Sequence, residues 1–461
     1  MWIEEIVIWE NTRTKPMLYN GGGMKTSMKQ RFFAINLSCL KCGEEYPLVK
    51  MLEGCHKCKT DKLVANLDVK YNYDKIANIL SKEILEERGG QHGLWKYREL
   101  LPVKRKECMI TLGEGNTPLI KCNRLSKEIG IKNLYIKDES RNPTWSFKDR
   151  HCCVAVAKGL EFDAKIVSVS SYGNMGASTA AYAARAGVPC VVFVPSFIPK
   201  NMLTWLQVYG AMVVPLTTTE GRWMLESECL KKFESWYSVG TFTSPMPVYN
   251  PYGVEGNKTI AFEICEQINW KTPDKLVVPT SYGGGLWGIW KGFKELLTLD
   301  FIEEKPEMVS VETNVLAPLA KTISKGLEYV ERVSHTSSVA FSIAGTVSSY
   351  QAVKAIRESR GMALTVSEEQ IVEAQKLLAS SEGIYGEMAS VAAVAGVKKM
   401  VEEGEIESDE TVVCVLTSSG LKFPEVTASF LHEPISPISP KLEELSVFLL
   451  KYYGYDPMQL K

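Results

Sequence analysis

Several features are missing from this chain of 461 residues, and each absence excludes a class of protein. No run approaches the roughly 18 consecutive apolar residues that a membrane span needs. The formal net charge is only −1, so there is no global attraction to nucleic acid or to an anionic membrane. Neither the G-x-S-x-G motif of serine hydrolases nor the G-x-x-x-x-G-K-[ST] nucleotide loop occurs. We therefore expect no membrane, no nucleic-acid partner and no hydrolase triad.

The composition is otherwise that of an ordinary globular protein, with 45% hydrophobic and 23% charged residues. A chain of this length can form two or three domains around a large core. The first residues lack the basic flank and apolar stretch of a secretory signal. Twelve cysteines in so long a chain do not suggest a disulfide framework. We expect a cytoplasmic protein with reduced thiols, some of which bind metal.

The first strong motif is a group of four cysteines with the spacing C-x2-C-x12-C-x2-C. They are Cys39, Cys42, Cys55 and Cys58. Two such pairs supply the four thiolates that tetrahedral zinc prefers. Because all four positions are thiols, no position is left for water, and we expect a structural zinc site. Four reduced cysteines in loops are the alternative.

From about residue 133 onwards, short runs rich in valine and isoleucine alternate with longer helical stretches. Strands are predicted at 133–137, 165–170, 189–195, 211–216, 275–280, 307–312 and 411–417. A helix at 177–187 is expected to end at Gly187. This alternation predicts parallel sheets with helices on both faces. In such folds, ligands bind beyond the carboxyl ends of the strands.

Three segments follow predicted strands and are rich in turn residues. "SYGGG" (281–285) precedes a helical stretch, so its glycines would let backbone amides close around an anion. "SYGNMG" (171–176) places Asn174 at a similar turn. "NPTWSFKDR" (142–150) places Lys148 between a loop and a helix. Burial there would lower the pKa of its amine and make it a usable nucleophile.

Each segment taken alone has an ordinary explanation: a tight turn, a helix cap, or a surface lysine paired with Asp149. Together they offer an amine, a phosphate cradle and an amide near a ring oxygen. This is the set of groups that pyridoxal 5′-phosphate (PLP) requires. We therefore expect PLP to bind at the strand ends, with Lys148 beside it.

The sequence here resembles the fold type II PLP enzymes and, within them, the threonine synthase family. The resemblance covers roughly residues 93–425. The matching motifs are "LGEGNTPL", "NPTWSFKDR", "SSYGNMGAS", "YNPYGVEGNKTIAFEI", "VVPTSYGGGLWGIWKGFKEL" and "VVCVLTSSGLK". It implies a two-domain α/β fold like that of tryptophan synthase β, with parallel sheets covered by helices, here preceded by a zinc ribbon. It also implies a homodimer and a small amino-acid substrate that is phosphorylated.

The division of the chain that we expect has three parts. Residues 1–65 would hold the ribbon, and 66–425 would form the catalytic body of two α/β subdomains. The smaller subdomain would span roughly 145–250. Residues 426–461 would form a C-terminal tail.

The resemblance also implies roles for individual residues. Lys148 would form a Schiff base with PLP and move protons at the substrate carbons. Asn174 would contact the 3′-oxygen of the ring, and Thr417 would hydrogen-bond the pyridine nitrogen. The phosphate would be held by Ser281, Tyr282, Gly283, Gly284 and Gly285. The substrate would lie near Trp145, Ser146, Ser171, Tyr172 and Asn250. Apart from the resemblance, the opposite charges of the neighbouring Asp149 and Arg150 lead us to expect an ion pair that orients the lysine helix.

The chain departs from the family pattern mainly on the substrate side. Trp145 stands where the family has glycine, and Tyr172 where it has serine or threonine. Ser281 replaces the first glycine of the cradle, and the arginine usual near 341–351 is absent. We expect PLP binding to be retained and three functions to stay open. They are phosphate elimination from O-phosphohomoserine, β-replacement on phosphoserine or a related amino acid as in cysteate synthase, and a threonine synthase-like protein without catalysis.

Overall fold

The structure is a computed structural model, and it describes residues 32–89, 93–171, 173–218, 221–242, 247–431 and 436–457. The strands are β1 Ala34–Cys39, β2 Glu45–Tyr46, β3 Leu67–Tyr71, β4 Leu119–Lys121, β5 Asn133–Asp138, β6 Ile166–Ser170, β7 Cys190–Pro195, β8 Met212–Leu216, β9 Trp236–Ser238, β10 Thr241–Phe242, β11 Val248–Tyr249, β12 Lys275–Pro279, β13 Glu307–Thr313, β14 Met362–Val366 and β15 Thr411–Leu416.

The helices follow the same chain order. They are α1 Tyr73–Ala77, α2 Lys82–Arg88, α3 Asn123–Ile129, α4 Lys148–Glu161, α5 Asn174–Ala186, α6 Lys200–Val208, α7 Gly221–Lys232, α8 Pro251–Asn257, α9 Thr259–Gln267, α10 Gly284–Thr298, α11 Pro318–Ser324, α12 Tyr350–Ser359, α13 Glu368–Glu382, α14 Met388–Glu402, α15 Pro424–Ala428 and α16 Leu442–Tyr453. Short 3-10 turns lie at Gly93–Leu100, Lys106–Cys108, Glu139–Arg141, Phe341–Ile343 and Gly420–Lys422. None of the helices among the described residues combines the length and apolar character of a bilayer-spanning segment.

The largest sheet has the strand order β14-β13-β12-β15-β5-β4. Five of its strands run parallel, and the edge strand β4 pairs antiparallel with β5. Successive strand residues point to opposite faces. Leu276 and Val278 join the core that includes α9, α10 and α12, whereas Val277 joins the core that includes α13 and α14. Helices thus cover both faces of a mostly parallel sheet, as the alternating pattern predicts.

A smaller sheet has the order β8-β7-β6-β9, with all strands parallel. Its apolar residues, such as Val167 and Val192, share a core with α4 and α5. Helix α5 ends at Gly187, which adopts the left-handed conformation (φ 66°) that makes glycine a good helix terminator. The strands predicted by their valine content are all present, with ends that differ from the prediction by a residue.

The cysteine-bearing segment forms an antiparallel sheet with the order β2-β1-β3. The apolar face of this ribbon sheet includes Leu37, Val69 and Tyr71, and it lies in the same core as Trp287 and Phe293 of α10. The ribbon sheet and the main sheet are therefore joined through one hydrophobic core.

Arg150 lies in a fully buried ion cluster on helix α4. Its Nε is 2.7 Å from Glu139 Oε2, and its Nη1 is 2.6 Å from Glu263 Oε1. Burial alone would lower the pKa of Arg150, but the two carboxylates raise it well above its ordinary value. The cluster ties α4 to α9 and to the turn after β5.

The expected ion pair between Asp149 and Arg150 is wrong. Asp149 instead accepts hydrogen bonds from the hydroxyls of Thr144 and Ser178, each at 2.6 Å. Adjacent helical residues point in different directions, so the two side chains serve different neighbours.

Replacing Arg150 by methionine should destabilise the protein by about 3–5 kcal/mol, because two buried carboxylates would lose their counter-charge. Urea unfolding measures the change in the free energy of unfolding. The control is Arg105→Met, since Arg105 pairs with Asp163 while both side chains are exposed, and such exposed pairs contribute little to stability. Equal effects of the two substitutions would contradict this interpretation.

Candidate active site

The loop that precedes Lys148 is bonded to the segment that follows β15. Phe147 N donates to Thr417 O at 3.0 Å, and Ser419 N donates to Trp145 O at 3.1 Å. Ser146 and Ser418 face each other in an antiparallel bridge. These contacts fix the lysine loop at the carboxyl end of the central strand, where α/β folds bind ligands.

Asp149 holds the same loop from the helix side. Its carboxylate accepts from Thr144 N and Thr144 Oγ1, both at 2.6 Å, and from Ser178 Oγ on α5. Burial raises the pKa of Asp149 to about 6, although these donors oppose the rise. The carboxylate therefore orders the proline turn and joins it to α5.

Lys148 is the first residue of α4 and is half-buried. The surrounding protein desolvates the amine and lowers its pKa to about 8. One turn later, burial lowers the pKa of His151 to about 4, so this imidazole is neutral; it lies 2.8 Å from Val239 O. A neutral His151 adds no positive charge near the lysine.

The turn between β12 and α10 is packed so tightly that it excludes side chains. A Cβ on Gly283 would come within 2.2 Å of the Ala352 Cβ, and one on Gly284 within 2.6 Å of the Tyr249 ring. Gly283 also has φ 83°, which favours glycine. The first amides of α10 have no intrahelical acceptor, so this helix start can bind an anion.

The Phe147 ring connects this glycine turn to the lysine. A Cβ on Gly285 would lie 2.7 Å from the ring, and Lys148 Nζ lies 4.2 Å from the ring centre. The amine and the helix start therefore contact the same aromatic ring.

Two buried serines support the glycine turn from its carbonyl side. Ser348 Oγ donates to Ser281 O at 3.0 Å, and Ser349 Oγ donates to Tyr282 O at 2.6 Å. Both serines immediately precede α12, so the position of that helix start sets the position of the turn.

Asn174 begins α5 and is half-buried. Its Nδ2 donates to Glu387 Oε2 at 2.9 Å, and its Oδ1 lies 3.2 Å from Ser418 Oγ. Thr417 Oγ1 lies 2.8 Å from Ser390 Oγ on α14. The amide of Asn174 and the hydroxyl of Thr417 are thus both held at residues 417–418, the segment that also holds the lysine loop.

The expected substrate-side residues differ in how open they are. Ser146 is fully buried, and its Oγ accepts from Lys148 N at 3.3 Å. Ser171 is half-buried at the turn before α5. Tyr172 lies outside the described residues.

Asn250 uses both ends of its amide inside the protein. Its Oδ1 caps α8 by accepting from Tyr252 N and Gly253 N, while its Nδ2 donates to Tyr237 Oη and to Ser238 O. It is fully buried. In this arrangement Asn250 is a helix cap, which does not support the expected contact with a substrate phosphate.

Trp145 has a left-handed backbone with φ 59°, a conformation that is unusual for a bulky residue. Trp145 is 40% exposed, and its ring centre lies 5.2 Å from that of Trp205 in an edge-to-face contact. The backbone at position 145 thus has a conformation that favours glycine, although a tryptophan occupies it.

Two charged residues of the site were not singled out from the sequence. Glu387 is buried at the start of α14 and accepts from Asn174 and from Ser342 Oγ. Lys422 is buried, its pKa is lowered to about 8 by desolvation, and its Nζ donates to Thr144 O at 2.7 Å. Lys422 lies within the quoted motif "VVCVLTSSGLK", which was the available signal.

The four cysteines converge as their spacing predicts. The Sγ atoms of Cys39, Cys42, Cys55 and Cys58 all lie within 4.8 Å of one another. Four Zn–S bonds of about 2.3 Å in a tetrahedron place sulfur atoms about 3.8 Å apart. The cluster is therefore compact enough for one tetrahedral ion.

These features together fit PLP. A turn that excludes side chains lies at a helix start and can accept the phosphate. The desolvated amine of Lys148 and this turn both contact the Phe147 ring. The uncharged amide of Asn174 and hydroxyl of Thr417 are held at the segment that bonds the lysine loop. The aldehyde, the phosphate and the ring of PLP each have a chemically suitable partner.

The chain belongs to the pyridoxal-phosphate-dependent enzyme family, whose model matches residues 110–418. This range includes Lys148, Asn174, the glycine turn and Thr417. The protein is therefore a PLP-dependent enzyme.

Over most of its length the chain is similar to threonine synthases. It is 39% identical over 400 residues to the threonine synthase of Methanocaldococcus jannaschii, which covers 86% of this chain and 95% of the relative. It is 39% identical over 402 residues to that of Methanosarcina acetivorans, with 87% and 95% covered.

Solved structures share the fold. Diaminopropionate ammonia lyase from Escherichia coli, in complex with an aminoacrylate-PLP azomethine reaction intermediate, has a TM-score of 0.59 and 15% identity and covers 69% of this chain and 89% of its own. The processed form of threonine deaminase isoform 2 from Solanum lycopersicum has a TM-score of 0.58 and 21% identity, with 68% and 82% covered. At these identities the likeness concerns the fold, and it confirms the expected fold type II architecture.

At position 145, glycine should be better tolerated than alanine. Both Trp145→Gly and Trp145→Ala remove the ring contact, but only glycine relieves the left-handed backbone, by about 1 kcal/mol. Urea unfolding should therefore show Trp145→Gly to be the more stable variant. The controls are Trp205→Ala and Trp205→Gly within α6. There the alanine variant should have a free energy of unfolding about 1 kcal/mol higher than the glycine variant, because glycine is unfavourable inside a helix. If the alanine variant is the more stable one at position 145 as well as at position 205, the prediction is contradicted.

Proposed function

We propose that the protein is a PLP-dependent lyase of the threonine synthase type, which releases phosphate from a phosphorylated amino acid. O-phosphohomoserine is the first candidate substrate. The observation that carries this proposal is the shared Phe147 ring, which places the desolvated amine of Lys148 next to the glycine turn. The similarity to threonine synthases over most of the chain points to the same reaction.

The residues that would hold PLP follow from this arrangement. Lys148 would hold its aldehyde carbon. The phosphate would lie at the turn formed by Ser281, Tyr282, Gly283, Gly284 and Gly285. Asn174 would contact the 3′-oxygen, and Thr417, paired with Ser390, would face the pyridine nitrogen.

When bound, PLP supplies a conjugated system that accepts electrons from the substrate α carbon. With a pKa of about 8, the Lys148 amine is neutral in a substantial fraction of molecules near pH 8. Its Nζ can therefore take a proton from the substrate Cα and later return one to a neighbouring carbon. The Thr417 hydroxyl carries no charge, so it does not hold a proton on the ring nitrogen as a carboxylate would. Such a weak partner suits elimination and replacement.

A β-replacement on O-phosphoserine is the second candidate, as in cysteate synthase. Trp145 favours it because a large ring at this loop would leave less room for a substrate with a longer side chain. The remaining possibility, a protein without catalysis, is weakened by the presence of an amine with a lowered pKa.

Two further assignments accompany the proposal. The compact cluster of Cys39, Cys42, Cys55 and Cys58 would hold one structural zinc ion, since thiolate sulfur is a preferred zinc ligand. The protein would act as a homodimer, an expectation that rests on the family resemblance.

The capture of PLP by Lys148 should depend on pH. Only the neutral amine attacks the aldehyde, so the rate should rise between pH 6.5 and 8 and level off above the amine pKa of about 8. Stopped-flow absorbance of the full-length protein, freed of cofactor and mixed with PLP, measures this rate. A rate that keeps rising to pH 10 would show an ordinary exposed lysine.

Substrate selection distinguishes the two candidate reactions. The PLP-loaded enzyme should release inorganic phosphate from O-phosphohomoserine, and Lys148→Ala should lower the rate by at least about a thousandfold. Lys127→Ala, on the exposed face of α3, is the matched control. Phosphate release only from O-phosphoserine with sulfite would favour the β-replacement. Release from neither substrate would overturn both.

A further inference from the structure

The ribbon strand that pairs with the cysteine strand also contacts the helices of the glycine turn. Cys39 on β1 pairs with Leu67 on β3, and Cys55 N donates to Ala65 O at 2.9 Å. Residues 65–69, which we call the bridging segment, therefore lie against the cysteine cluster.

Asp68 connects the bridging segment to α10. It is buried, and its Oδ1 lies 3.0 Å from Lys291 Nζ and 3.3 Å from Trp287 Nε1. Lys291 Nζ also donates to Val69 O at 2.6 Å. Helix α10 begins at Gly284, so Trp287 lies about one turn and Lys291 about two turns from the expected position of the phosphate.

The charges around Lys291 make this connection strong. Besides Asp68, Glu255 Oε1 lies 2.6 Å from Lys291 Nζ, and both partners are buried. Burial alone would lower the pKa of Lys291, but the nearby carboxylates raise it. Loss of one carboxylate would leave a buried cation partly uncompensated, which would weaken the attachment of α10 to the ribbon sheet.

Asn66 connects the bridging segment to α12. Its Oδ1 accepts from Gln351 N at 3.4 Å, and its own carbonyl accepts from Leu40 N at 3.0 Å. Gln351 lies two residues after Ser349, which donates to Tyr282 O in the glycine turn. The same short segment thus reaches both helices that shape the turn.

We propose that the bridging segment is a positioning element of the PLP phosphate site, with Asp68 placing α10 and Asn66 placing α12. The ribbon would then contribute to cofactor affinity as well as to folding. This inference rests on the proposed binding of the PLP phosphate at residues 281–285.

The affinity for PLP, compared with that for pyridoxal, tests this inference. Pyridoxal lacks the phosphate but keeps the aldehyde and the ring. In full-length protein freed of cofactor, Asp68→Asn and Asn66→Ala should each weaken PLP binding, on the order of tenfold for Asp68→Asn. Neither substitution should change pyridoxal binding. Absorbance titration measures both dissociation constants.

Two ribbon variants serve as matched controls. Glu44→Gln removes a carboxylate whose pair with Lys57 is exposed. Asn36→Ala removes an amide whose Oδ1 has no hydrogen-bond partner among the residues that the structure describes. Both should bind PLP as the unmodified protein does. If Asp68→Asn does not fold, Asn66→Ala decides the question alone.

The outcomes separate this inference from the proposed function. Unchanged PLP affinity in Asn66→Ala and Asp68→Asn, or an equal loss for PLP and pyridoxal, would show a merely structural ribbon and overturn the inference. If the unmodified protein fails to bind PLP at Lys148, the proposed function fails, and the inference fails with it.

Discussion

The hydrogen bonds between the lysine loop and the end of β15 are the constraint on which the site depends. Phe147 and Trp145 use their main-chain groups to bond residues 417–419. One short segment therefore fixes the start of α4, the hydroxyl of Thr417 and, through Ser418, the amide of Asn174. The proposed chemistry at Lys148 needs these three groups held in fixed relative positions. Main-chain hydrogen bonds hold them there without depending on the side chain at position 145.

Buried charges hold the surrounding elements in place. Arg150 joins α4 to α9 through carboxylates, and Lys291 joins α10 to the ribbon sheet in the same way. A buried ion pair adds little to stability compared with well-packed apolar residues, but removing one partner is costly. Such clusters therefore suit the role of fixing the relative positions of helices that bear a site.

The parts of the site that could be predicted are those with a local chemical signature. Cysteine spacing, glycines at a strand end and a lysine at a helix start each impose a short-range pattern. Glu387 lacked such a signature, because it reaches Asn174 through packing between segments that are 213 residues apart along the chain. A long-range contact also explains why the expected pair of Asp149 and Arg150 is wrong, because Arg150 bonds Glu263, which is 113 residues away along the chain. The left-handed backbone at Trp145 is a conformation that favours glycine, the residue of the family pattern at this position.

A crystal structure of the full-length protein with PLP would show directly whether Lys148 holds the cofactor at the start of α10. We predict continuous density between Lys148 Nζ and PLP, with the phosphate against the amides of Gly284 and Gly285 and the pyridine nitrogen facing Thr417. A phosphate bound away from the start of α10, or a free Lys148 amine beside bound PLP, would contradict it.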